Sequence, residues 1–231
     1  MQGVRLRIVR SLKMRCADAF FGGTMNFLNQ FKRLTKFEVC LWLLSCIVVT
    51  ASFLLTYSGD FLSLIASLIG VTALIFVAKG MVLGQVLTVV FAVFYGIISF
   101  YFRYYGEMIT YLLMTAPIAV MSVVSWIKNP YKDEKVVRVA SMNKKEVAIM
   151  LVLSIIVTGA FYFILKALGT ANLIISTVSV TTSFLASYLT FKRNPFYALA
   201  YGANDIVLIV LGVLASVKDI SYTTMVLCFE M

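Results

Sequence analysis

The sequence predicts an all-α, polytopic membrane protein of eight spans, and three observations carry that prediction. Of 231 residues, 61% are hydrophobic and only 13% are charged, whereas an ordinary soluble domain is roughly 45–50% apolar. The apolar residues come in blocks of about twenty, the length a helix needs to cross ~30 Å of hydrocarbon. The charges lie between those blocks. A net charge of +10 spread in this way orients a chain in a bilayer and offers no basic face for nucleic acid.

The N-terminal run "VRLRIVRSLKMR" is basic and loosely amphipathic. Residues 1–36 are therefore expected to lie on anionic lipid as a cytoplasmic segment. The run lacks the apolar core and cleavage site of a signal peptide. The transmembrane domain, 37–231, divides into spans at 37–57, 61–78, 82–102, 108–126, 147–166, 172–190, 196–216 and, incompletely, 220–231. Asn143 followed by Glu146 suits a capping box before the fifth span. Pro195 stands near the start of the seventh, where a missing N–H matters least. The final stretch, "YTTMVLCFEM", is about half a span, so it is either a short helix or a truncated one.

Charge separation sets the orientation. With the N-terminus cytoplasmic, seventeen of the twenty basic residues fall on the inside, and only Arg103, Lys166 and Lys218 fall outside. That asymmetry fixes the topology and supports the number of spans. An internal repeat divides the domain further. "LIASLIGVT" (Leu64 to Thr72) matches "LIISTVSVT" (Leu173 to Thr181), 109 residues later. Each copy continues through a basic turn (Lys79-Gly80; Lys192-Arg193), an aromatic-rich span and a polar turn ("YYGEM"; "VKDIS") into a third span. The expected layout is one leading helix, a three-helix bundle (61–126), a linker helix (147–166) and a second, parallel three-helix bundle (172–231). Parallel repeats about an axis along the membrane normal are a transporter plan, with substrate held between the halves.

The chemistry-bearing residues are few. There is no histidine, which removes the commonest metal ligand and general base; no metal, cofactor or catalytic residue is expected. The four cysteines show no CxxC pairing. "AKGMVLG" lacks the spacing of a phosphate-binding loop, so ATP-driven pumping would need a partner protein. An intramembrane enzyme would need a nucleophile with a paired base or two carboxylates at one depth. Nine of the ten acids lie in the N-terminal segment, in loops or near span ends; only Asp205 sits mid-span. An ionised group there needs a partner or a wet cavity. Neighbouring Asn204 adds an amide that donates and accepts, but successive helix positions point about 100° apart, so the two cannot aim at one ligand atom. Tyr95, Tyr111, Tyr197 and Tyr201 are candidates for stacking on a flat ring. Trp42, Tyr104, Tyr105 and Trp126 suit an interfacial belt. Gln85 opens the third span as a gate or an interfacial residue. Pro117, mid-way along the fourth, frees the Leu113 carbonyl and bends the helix, as a hinge or as a static packing bend.

The blocks "VFYGIISFYFRYYGEMITYLLMTAPIAVMSVVSW" and "NPFYALAYGANDI", with the linker "KNPYKDEKVVRVASMNKKEVAI", resemble the PnuC family of vitamin transporters, most closely its Gram-positive branch. The resemblance covers roughly residues 33 to 229. It implies a SWEET-like three-plus-one-plus-three core behind an extra N-terminal helix, a homotrimer in the bacterial plasma membrane, and facilitated diffusion of nicotinamide riboside, an NAD precursor. A separate cytoplasmic kinase would trap the nucleoside by phosphorylation. The pyridinium ring of that substrate would give Asp205 its partner. Thiamine and riboflavin carriers share the scaffold and are the alternatives; a membrane component of an ATP-driven system is a further one. One departure stands out. Many members carry Trp-x3-Asn-x3-Gln in the binding helix, but around Asn204 this chain has Ala200 and Leu208.

Overall fold

The structure, a computed structural model, describes residues 31–56, 61–101, 105–131, 136–170 and 172–218. Seven helical segments run through them: α1 Lys36–Thr56, α2 Phe61–Ala78, α3 Val82–Tyr101, α4 Tyr105–Lys128, α5 Lys144–Ala167, α6 Leu173–Phe191 and α7 Tyr197–Lys218. The first six are long and apolar enough to cross a membrane, and α7 carries the shorter apolar stretch Tyr197–Leu211. The chain is a multi-pass membrane protein. The expected eighth span, the basic segment before residue 31 and Tyr104 lie outside the described residues.

Two helix starts reveal how far the repeat extends. At α1, the Thr35 N–H donates to Glu38 Oε2 at 2.7 Å and the Glu38 N–H donates to Thr35 Oγ1 at 3.3 Å. At α5, the Asn143 N–H donates to Glu146 Oε2 at 3.0 Å, and Asn143 Oδ1 accepts from the Lys145 N–H at 3.4 Å. Both boxes satisfy N–H groups that a helix start leaves orphaned. Each capping glutamate then reaches the lysine that ends the following helix: Glu38 to Lys79 and Glu146 to Lys192, both at 2.8 Å. α1 packs on α2 as α5 packs on α6. α1 and α5 thus start alike and are tied alike to the ends of α2 and α6; α1–α4 and α5 onward are called the two units below.

The units also turn alike. Gly80 (φ 70°) and Arg193 (φ 59°) are left-handed. Met81 N–H reaches the Phe76 carbonyl and Asn194 N–H the Leu189 carbonyl, each at 2.9 Å, closing two Schellman turns. An arginine in that conformation costs about 1–2 kcal/mol relative to glycine. These turns are 113 residues apart, one helical turn beyond the apolar match, so both registers keep the same helix face. Asn194 then starts α7, its Oδ1 accepting the Phe196 N–H at 3.0 Å, with Pro195 in the place where its missing donor costs least.

The basic turns meet at one end of the molecule. The linker before α5 crosses both: Val137 N–H donates to the Gly80 carbonyl at 2.8 Å and Ala140 N–H to the Arg193 carbonyl at 3.0 Å. Burial, and secondarily the Arg138 charge, lowers the Arg193 guanidinium from its ordinary value. One set of direct contacts between the units joins Met114 of α4 to Phe161, Leu165, Val180 and Phe184 of α5 and α6, and another lies at the same end as the basic turns. Trp126 is 1% exposed, and its Nε1–H donates to the Thr190 carbonyl at 3.0 Å. Ser125 Oγ donates to the Phe191 carbonyl at 3.0 Å and the Tyr197 hydroxyl to the Val77 carbonyl at 3.1 Å. Val77, Trp126 and Val137 form a small core there. Trp126 is therefore a strut between units; its nearness to a span end had suggested the interfacial belt. Trp42 likewise turns inward, donating to Thr72 Oγ1 at 3.1 Å and packing edge-on to Phe31.

Candidate functional site

Beyond that joined end lies a cavity of about 260 Å³, walled by α2, α3, α4, α6 and α7, with Leu165 of α5. The α6 wall is a stripe of hydroxyls. Ser176, Ser179, Ser183 and Ser187 line the cavity, spaced so that helical periodicity puts all four on one face. This spacing was legible in the sequence, although the repeat match covers only Ser176 and Ser179 of the four.

The α7 wall follows the same periodicity. Tyr201, Asn204, Asp205, Leu208 and Leu211 face the cavity, while Ile206, Ile209, Val210 and Val213 are exposed on the opposite side. Asn204 is 6% exposed, and its Oδ1 receives the hydroxyls of Thr182 and Ser183, each at 2.8 Å. Its carbonyl is taken up by α6. Asp205, one position on, is exposed and makes no hydrogen bond or ion pair with a described residue. The divergence expected of adjacent helix positions is what separates them: one holds the helices together and the other faces open space. Tyr201 lines the cavity together with Ser187 of α6.

The third wall, from α3 and α4, corrects the sequence reading. "YYGEM" was expected as a polar turn, but Tyr105–Ile109 is already helical. Glu107 therefore sits in the first turn of α4, where the helix dipole favours an acid, and it lines the cavity. Its Oε2 accepts the Tyr95 hydroxyl at 2.8 Å. Tyr95 and Tyr111 have ring centroids 4.2 Å apart, and Phe91 contacts both at 5.7 and 5.9 Å. Asp205 is thus not the lone interior acid. Glu107 escaped notice because hydropathy marks a span start only to within a turn.

Thr110–Thr115 within α4 is a π-helix, and the Ala116 N–H reaches back to the Tyr111 carbonyl. Pro117 follows at once. Its ring cannot sit against the carbonyl four residues back, and it supplies no N–H; the wider turn absorbs both demands. Thr110 Oγ1, at the start of the π segment, donates to the Gly106 carbonyl at 2.9 Å.

Of the residues singled out by sequence, Asn204, Asp205, Tyr201, Tyr95 and Tyr111 come together around the cavity. Tyr197 lies at the joined end against Val77. Gln85, 2% exposed, is buried near the basic end of α3. Pro117 borders the π segment outside the lining. Among the described lining residues two are acidic and none is basic.

A family profile described as nicotinamide mononucleotide transporter matches residues 60–230. The chain belongs to this family. Members are transporters and not enzymes, as the PnuC-like motifs implied. The nicotinamide riboside transporter PnuC of Neisseria mucosa is 24% identical over 163 residues, covering 69% of this chain. That match spans 62% of the relative's own length. A solved structure described as the crystal structure of the vitamin B3 transporter PnuC overlays with a TM-score of 0.68 at 21% identity, covering 84% of this chain and 87% of the other. That likeness establishes a PnuC fold here.

Proposed function

We propose that this PnuC-family protein is a facilitative importer of nicotinamide riboside. The observation that carries the reading is the cavity between the units, which has two carboxylates, Asp205 and Glu107, and no basic described residue in its lining. Such a lining favours a cation and opposes a phosphate, because an uncompensated charge away from water is costly. Nicotinamide riboside carries a fixed positive charge and ribose hydroxyls. Nicotinamide mononucleotide adds a phosphate that this lining would repel. Asp205 supplies counter-charge, Asn204 orders the α6 wall, and the serine stripe offers partners for the ribose. Tyr95, Tyr111 and Tyr201 supply flat surfaces for the ring.

In the same reading the chain works as a homotrimer in the bacterial plasma membrane. Its N-terminus and basic turns are cytoplasmic, and its units form a SWEET-like pair. Import is driven by a separate intracellular kinase that phosphorylates the nucleoside. Reconstituted protein is expected to admit nicotinamide riboside without ATP or an ion gradient. Titrations with nicotinamide riboside, thiamine and riboflavin side by side test the substrate; tighter binding of either rival would overturn this reading. Asp205→Asn is expected to weaken the nucleoside cation more than its neutral, reduced analogue. Equal loss for both ligands would remove Asp205 as a charge partner.

A further inference from the structure

We propose that Glu107, Tyr95 and Tyr111 form a separate subsite on the first unit that takes a flat, positively charged heterocycle, while the α6–α7 wall takes the hydroxylated end of the same ligand. The inference rests on the transport reading above and assigns the two ends of its substrate.

The two sides of the cavity differ in kind. On α6 and α7 the polar groups are hydroxyls, one occupied amide and Asp205, a set that matches a sugar. On α3 and α4 they are a carboxylate and two phenols at the edge of an aromatic cluster, with the hydroxyls of Thr88, Thr110 and Thr115, of which Thr88 and Thr110 donate back to carbonyls of their own helices. Aromatic faces beside an anion attract a planar cation through its whole ring, and the attraction grows as water is excluded. Tyr95 fixes the carboxylate by donating to Oε2 at 2.8 Å, and no further hydrogen bond or ion pair to Glu107 occurs among the described residues. The carboxylate is therefore positioned with no side-chain cation beside it among the described residues. Gly106 permits this arrangement: a Cβ there would stand 2.7 Å from Leu165 Cδ2 and 3.3 Å from Thr170 Oγ1. Glu107 also lies at the end of α4 away from the basic turns. On the proposed topology that is the outer end, so a cation arriving from outside meets this subsite first.

The test uses ligands that carry only one end. Competition against labelled nicotinamide riboside is measured with 1-methylnicotinamide, a ring cation without a sugar, and with neutral nicotinamide. On the unaltered protein the cation competes, and nicotinamide competes far less. Glu107→Gln is expected to weaken 1-methylnicotinamide by about tenfold or more, as loss of a charged partner should. Asp205→Asn removes the second carboxylate of the same cavity, whose charge reaches the ring from across it, and is expected to weaken 1-methylnicotinamide by the smaller factor of about threefold. Glu107→Asp keeps the preference for the cation. Tyr111→Leu lowers it without altering any charge, which preserves the test if Glu107→Gln does not fold. Equal losses in Glu107→Gln and Asp205→Asn, or an unaltered protein that binds the nucleoside but not 1-methylnicotinamide, would overturn the subsite. An unaltered protein that binds no nicotinamide riboside would instead overturn the transport reading, and direct titration with 1-methylnicotinamide would still decide the subsite.

Discussion

Gly84→Ala tests how tightly the first unit is built. A Cβ on Gly84 would lie 2.4 Å from the Val77 nitrogen and 2.7 Å from the Phe76 carbonyl carbon. Ordinary contact between heavy atoms needs about 3.5 Å, so α2 and α3 would have to part by about 1 Å. Neither obstacle is a side chain that can rotate away. Nor can the helices hinge apart locally, because Gly84 follows the short turn closed by the Met81–Phe76 hydrogen bond and itself donates to the Met81 carbonyl at 3.0 Å. Overpacking of this kind costs about 1–3 kcal/mol, and membrane helices depend on such small-residue contacts for close approach. A shift of Val77 would also pull its carbonyl away from the Tyr197 hydroxyl. The expected loss is therefore near the top of that range, read by denaturant titration in mixed micelles with circular dichroism. Gly159→Ala is the control, since no described residue comes within 4 Å of the place its methyl group would occupy; with no clash, a gain of about 0.5–1 kcal/mol from helix propensity is expected there. If Gly84→Ala were as stable as Gly159→Ala, the close contact between α2 and α3 would be wrong.

Two further outcomes concern movement between the units. Trp126→Phe removes the hydrogen bond to the Thr190 carbonyl; it should cost about 1 kcal/mol or more of stability and raise the rate of exchange across a proteoliposome membrane while leaving ligand affinity unchanged. Unchanged exchange would mean that the joined end does not move during transport. Pro117→Ala restores a backbone donor beside the π segment, so it should slow transport with little effect on binding if the segment hinges. Unaltered kinetics would leave Pro117 as a static bend.

Much of the fold was legible because hydropathy records where a chain meets lipid. α2 lies where the apolar block placed it, and α3 and α6 end within a residue or so of expectation. The Asn143–Glu146 box was readable from residue type and spacing alone. Its counterpart, Thr35 with Glu38, has the same spacing, yet their equivalence emerged only from the matching lysine partners at the far ends of α2 and α6. Those pairs join residues 41 and 46 positions apart, and no local pattern specifies such a contact.

By itself, then, the sequence determined that this is a multi-pass helical membrane protein, which way its charge asymmetry points, and which family its motifs resemble. Only the tertiary structure decided which polar groups share the interior. Facing depends on rotation about each helix axis, where one residue is worth about 100°. The early start of α4 and its π segment reset that rotation and bring Glu107 and Tyr111 to the cavity. The same geometry turns Asn204 onto α6 and leaves Asp205 beside it in the open. Hydropathy is a property of the chain against its solvent, whereas a binding site depends on the angles between helices.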